Sequence, residues 1–163
     1  MADGIGPILG ALYKGGREQA EQLAAEAESL DAFEAAALGR TNRLEELLRE
    51  DPGLVRSWSP DGFTALHYAA FFGSPDAVRA LVAAGADLEA PSQNQEFAPD
   101  ARPLHSAVAA GRADNAEALL EAGADPNARQ HGGFTPLMEA EQRGDFDVAE
   151  LLIRHGAYAG GGA

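Results

Sequence analysis

The chain contains no cysteine, which excludes a disulfide framework, a thiolate nucleophile and a cysteine-bearing zinc site. Basic residues are scarce as well: 12 Lys plus Arg stand against 26 Asp plus Glu over 163 residues, for a net charge of −14, and Lys14 is the single lysine. Such a field repels phosphate backbones and anionic headgroups over a Debye length of about 10 Å. Nucleic acid and membrane partners are therefore not expected, while a basic protein surface would be drawn in. Long apolar runs are also missing. No stretch approaches the roughly 18 uncharged residues that cross a bilayer. The one apolar run near the start, Ile5 to Tyr13, is broken by Gly6, Pro7 and Gly10 and has Lys14 behind it, unlike a secretory signal. A cytoplasmic protein is expected. The four histidines (His67, His105, His131, His155) form no HExxH or i, i+4 pair, so no metal site is expected. The glycine pairs Gly15-Gly16 and Gly132-Gly133 read as turns, not phosphate loops, so no cofactor is expected either. The preference for arginine over lysine, with abundant Ala and Gly, suggests a GC-rich coding genome of bacterial type.

What the sequence does have is a repeat. Gly85-Ala86-Asp87 returns as Gly123-Ala124-Asp125 and ends in Gly156-Ala157, at intervals of 38 and 33 residues. A second marker keeps the same step: Thr64-Ala65-Leu66-His67-Tyr68-Ala69, Arg102-Pro103-Leu104-His105-Ser106-Ala107 and Thr135-Pro136-Leu137-Met138-Glu139-Ala140. Each unit reads as two helices. Thr64 and Thr135 can cap a short first helix whose small residues, such as Ala69 and Ala70, allow close packing, and Gly73, Gly111 and Gly144 end it. A second helix opens at Asp76, Asp114 or Asp147, where a carboxylate suits the positive helix end. Its apolar stripe is Val78, Leu81 and Val82, repeated by Leu119-Leu120 and Leu152-Ile153.

These markers resemble the ankyrin repeat family, whose signature joins a Thr-Pro-Leu-His-x-Ala helix start to a Gly-Ala-Asp stop at a period near 33. The resemblance implies an all-α solenoid of stacked helix-turn-helix units with extended finger loops. It covers Asp31 to about Ala159 in units 31–57, 58–90, 91–128 and 129–159. Upstream, Ala11 to Gly15 and Arg17 to Ala27 look like a degenerate helix pair within residues 1–30, which would cap the otherwise open end of the stack. The tail, residues 160–163, is expected to be flexible.

The family resemblance also divides structural residues from contact residues. His67 and His105 stand at the family's fixed histidine position, a bracket between their own helix start and the neighbouring finger. Partner contacts in the family come from finger tips and the outward side of each first helix. Carried onto this chain, that marks Trp58, Pro60, Asp61 and Phe63 on one finger, Phe71 and Phe72 near the following helix end, and Phe97 in a finger five residues longer than the family period. Arg102, Arg129, His131, Phe134, Gln142 and Arg143 complete the row. Aromatic side chains dominate binding hot spots because they bring large area at low entropic cost. The expected function is a module binding another protein, monomeric or weakly dimeric and not an enzyme. The alternative is a small-molecule or acid–base pocket at the aromatic cluster, with His67, His131, Glu141 or Asp61 as candidate groups. Two polar residues inside helices, Asn115 and Glu141, could satisfy one another, or Glu141 could be a recessed carboxylate.

Overall fold

The structure, a computed structural model, describes residues 4–159. The expected flexible tail at 160–163 lies outside the described residues. Ten α-helices follow one another in pairs: α1 (Pro7–Tyr13) with α2 (Arg17–Glu26), α3 (Ala32–Ala37) with α4 (Thr41–Glu50), α5 (Ala65–Phe71) with α6 (Pro75–Ala83), α7 (Pro103–Ala109) with α8 (Ala113–Glu121), and α9 (Pro136–Arg143) with α10 (Phe146–Arg154). Among the described residues there is no β-strand, only an isolated antiparallel bridge between Trp58 and Thr64. From α3 on, the first helices pack in series, α3 on α5, α5 on α7 and α7 on α9, and the second helices form a parallel row of α4, α6, α8 and α10.

The stacking follows from side-chain size. Ala35, Ala36, Ala69, Ala70, Ala107 and Ala140 are fully buried on the first helices, so neighbouring backbones approach closely. Leu66, Leu104 and Leu137, with Leu81, Leu119 and Leu152 from the second helices, fill the layer between. Each such leucine contributes about 2 kcal/mol by leaving water. Thr64 and Thr135 cap α5 and α9 by accepting from the His67 and Met138 amides. Arg102 replaces a threonine at the start of α7 and gives no side-chain cap there, although its N–H still donates to His105 Nδ1.

Gly39, Gly111 and Gly144 end their helices in the left-handed region, with φ of 67°, 65° and 68°. Gly73, at the equivalent place after α5, has no such φ and is glycine for another reason: a Cβ there would lie 2.3 Å from the Ala36 carbonyl oxygen. Gly73 follows the end of α5 as expected, and its lack of a side chain serves this close approach as well. The carbonyls left open at this end of α5 are answered from both sides. Arg17 on α2 donates to Phe72 O at 2.7 Å and to Leu38 O. Arg112, just before α8, donates to Gly73 O at 2.7 Å and more weakly to Phe72 O.

Asn115 completes the set. It is 0% exposed, and its Nδ2 donates to Ala69 O and Ala70 O at 3.2 and 2.9 Å. Glu141 is exposed on α9, so the two residues do not pair, and Glu141 is not recessed. Asn115 is buried because the end of α5 needs a donor from the next repeat.

The long finger between α6 and α7 is ordered by docking on the finger before it. The Gln93 amide donates to Gly62 O at 2.9 Å, and Asn94 Nδ2 donates to Asp61 O at 2.9 Å. The Asn94 Oδ1 in turn accepts the Glu96 and Phe97 amides. Gly62 makes this docking possible, because a Cβ would lie 2.6 Å from the Asn94 nitrogen.

Replacing Gly73 by alanine should destabilise the chain by about 2 kcal/mol through overpacking, although the backbone φ there suits any residue. Urea denaturation measures it; an unchanged midpoint would show that α3 and α5 can separate freely at this point.

Candidate binding site between the first helices and the fingers

The brackets that hold the fingers also set the shape of the site. In α5, His67 Nδ1 accepts the Thr64 amide at 3.2 Å, which leaves the ring proton on Nε2, and Nε2 donates to Ala101 O at 3.0 Å in the long finger. His105 repeats the arrangement, accepting from the Arg102 amide and donating to Phe134 O at 3.2 Å. Burial, ahead of the repulsion from Arg102 and the opposing carbonyl bonds, lowers each imidazole to about 4. Both rings are neutral, and neither has a nitrogen left for a substrate.

Between the fingers and the first helices lies one large cavity of about 700 Å³. No residue of a second helix lines it. Tyr13 and Lys14 close one end, Asp61 and Phe63 come from the short finger, and Phe97, Ala98 and Ala101 from the long one. Tyr68 and Phe72 form its floor with Phe71 at the rim, and Ser106, Gln130 and Glu139 carry it to the far end. The wall is predominantly apolar. Phe71 and Phe72 pack with ring centroids 4.6 Å apart, and Tyr13 meets Phe72 edge-on at 5.4 Å.

Among the described residues two carboxylates reach this cavity, Asp61 and Glu139, and their surroundings differ. Asp61 is 8% exposed and accepts three hydroxyls, from Tyr13 at 2.6 Å, Tyr68 at 2.5 Å and Ser59 at 2.5 Å. Burial, then the hydrogen bond to Asp61, raises the pKa of both tyrosines far enough that each remains a donor. Glu139 has no such support: its Oε2 is buried without a hydrogen-bond partner among the described residues. Burial raises its proton affinity, and the charge of Arg143 offsets this only in part.

Of the residues expected to face a partner, Asp61, Phe63, Phe71, Phe72 and Phe97 come together at this cavity. Trp58 does not. It is half-buried with its ring 6.3 Å from the His67 imidazole, a packing position behind the bracket. Pro60 is exposed on the finger tip outside the cavity. Arg102 is half-buried and donates to Asp100 O, and Arg129 is exposed with a bond to Gly133 O. His131 and Phe134 are exposed on the next finger, where the His131 amide donates to Pro99 O and ties that finger to the long one. Gln142 and Arg143 are exposed near the end of α9. All of these lie off the cavity wall.

The cavity-lining residues missed by sequence reasoning share one register. Tyr68, Ser106 and Glu139 each follow the histidine position of their motif, and Gly10 holds the equivalent place in the leading pair; all four line the cavity. Tyr13, Phe71 and Ala109 form a second row three residues further on. The free position inside the motif was the signal that could have found them.

The repeat geometry agrees with the comparisons to known proteins. A family model described as ankyrin repeats (3 copies) matches residues 32–130, and a single ankyrin repeat model matches residues 132–159. The chain belongs to the ankyrin repeat family. It is 39% identical over 152 residues, 93% of its length, to human neurogenic locus notch homolog protein 4, and 32% identical over 111 residues to the neurogenic locus Notch protein of Drosophila melanogaster. It is 33% identical over 107 residues, 64% of its length, to the human transient receptor potential cation channel subfamily A member 1. This ankyrin chain spans only 7%, 4% and 9% of those three relatives. None of its described helices is long and apolar enough to cross a membrane.

Two expectations follow from the titrating groups. The unfolded chain binds protons on His67 and His105 near pH 6.5, the folded chain only near about 4. Between these values the unfolded state holds more protons, so stability falls as pH is lowered from about 6.5 to about 4. The raised carboxyls of Glu34, Glu89 and Glu139 act in the opposite sense. Urea midpoints at pH 7, 5.5 and 4.5 should decline in that order; a flat or rising series would show that the carboxyls outweigh the two imidazoles. Glu139→Gln should raise the midpoint at pH 7, because it removes a charge that folding strips of water. A lowered midpoint would show that Glu139 has a stabilising partner.

Proposed function

We propose that this chain is a protein-binding module and that the cavity between its first helices and fingers receives a segment of the partner. Ankyrin repeats are generally protein-interaction modules, and the observation that carries the finer reading is the exposure of phenylalanine at the cavity rim. Phe71 is 37% and Phe97 71% exposed, although both line an apolar cavity that could bury them. Large exposed apolar side chains grouped around a concavity mark a contact surface awaiting its partner.

A small-molecule site is the second reading. About 700 Å³ falls within the range of ligand pockets, but a molecule filling the cavity would leave the outer face of Phe97 in water, whereas a chain passing over the rim would cover it. Acid–base catalysis has less support. His67 and His105 are occupied at both nitrogens, Asp61 is held by three hydroxyls, and Glu141 lies outside the cavity. The family is typically non-enzymatic. The reading takes α1 and α2 as the cap of an array that acts as a cytoplasmic monomer or weak dimer.

Affinity capture from the source cell tests it. Phe71→Ala and Phe97→Ala should each lose the captured protein while staying folded, Phe97→Ala unfolding within about 0.5 kcal/mol of the parent chain, as exposed substitutions do, and Phe71→Ala about 1 kcal/mol below it, because its ring packs on Phe72. Glu45→Ala, on the exposed face of α4, should retain it. Retention by both phenylalanine variants would rule out this face as the binding surface.

A further inference from the structure

The unused carboxylate identifies the chemistry of the occupant. Asp61 has its charge distributed over three hydroxyl donors and has little left to offer a ligand. Glu139 stands in the same cavity with Oε2 buried and unbonded among the described residues. A carboxylate oxygen kept from water without a donor is unfavourable, so this oxygen is satisfied only when something brings a donor to it. Among the described residues the one lysine or arginine on the wall, Lys14, belongs to the α1 end, whereas Glu139 belongs to α9 at the other. The cavity is thus polarised along its length, with its open acceptor at the α9 end, within a chain of net charge −14.

We propose that the groove selects a partner segment carrying an arginine or lysine beside an apolar side chain, the basic group donating to Glu139 and the apolar one resting on Phe71 and Phe97. This rests on the reading of the groove as the partner surface. A basic head supplies the missing donors as charge-assisted hydrogen bonds, the stronger class. Its methylene stem suits the apolar wall between the carboxylate and the phenylalanines. The field of the whole chain favours approach of a basic segment, but Glu139 gives that preference a fixed position.

The test uses the full chain and an immobilised random library of acetylated, amidated nonapeptides. Enriched peptides should carry Arg or Lys close to an aromatic or branched aliphatic residue. For the best of them, measured by fluorescence anisotropy, glutamine in place of the basic residue should weaken binding to the parent chain about tenfold, the scale of one charge-assisted bond. The same replacement should make no difference to Glu139→Gln. Glu141→Gln, which removes an equal charge from an exposed position two residues on, should behave as the parent does. If Glu141→Gln lost the basic preference equally, or Glu139→Gln kept it, overall charge and not Glu139 would be responsible, and the inference would fall. Enriched peptides lacking a basic residue but released by Phe71→Ala would overturn this inference and leave the groove reading standing. Peptides indifferent to Phe71→Ala, or no enrichment at all, would overturn both.

Discussion

The groove exists because a neutral imidazole is required at the start of two first helices. A finger loop has no helix or sheet of its own to satisfy its backbone, so its carbonyls must find donors elsewhere. His67 and His105 supply one each through Nε2, and each is oriented by a helix-start amide donating to Nδ1. Protonation would set two donors against each other at Nδ1, and this conflict adds a geometric reason to the burial that lowers both pKa values. The finger is consequently held at one distance from its helix, and the space left between them is the cavity.

The middle of the array is where backbone demand concentrates. The end of α5 is met by Arg17 from the leading pair and by Arg112 and Asn115 from the repeat that follows, while Gly73 admits the Ala36 carbonyl from the other side. On the finger side, Gly62 admits the backbone of the long loop, and Asn94 secures it with three bonds. Phe71 and Phe97 therefore project from supports whose own conformations are fixed. A contact surface built this way loses less freedom on binding than one carried by an unsupported loop.

The helix pairs were legible in the sequence because their determinants are local and repeated: the Thr64 and Thr135 caps, the buried alanines and the glycine stops recur at one step. Residues that answer a demand from another repeat were not legible. Gly73 resembles any helix-ending glycine until the Ala36 carbonyl is seen beside it. Asn115 looks like a fault in an apolar stripe until the carbonyls of Ala69 and Ala70 are placed against its amide. The aromatic cluster was visible as composition, yet composition cannot tell which ring lies in front of the finger and which behind. Trp58, the largest of them, went behind, against His67. Tyr68, Ser106 and Glu139 were hidden for the opposite reason, since they sit inside the motif that announces the fold and were absorbed by it.

The contrast between Asp61 and Glu139 shows where stability and binding diverge. Both place a carboxylate against the same apolar wall. At Asp61, the hydroxyls of Tyr13, Tyr68 and Ser59 come from the leading pair, the first helix and the finger, so three elements converge to offset one charge. That convergence also ties the leading pair to the array. At Glu139 no described residue donates to Oε2, although Ser106 holds the corresponding position one repeat earlier and shows that a small uncharged residue fits this register. A side chain that neither fills space demanded by packing nor accepts a bond within the chain raises the free energy of the folded state. In the proposed reading its compensation lies outside the chain, in a donor that arrives with the partner.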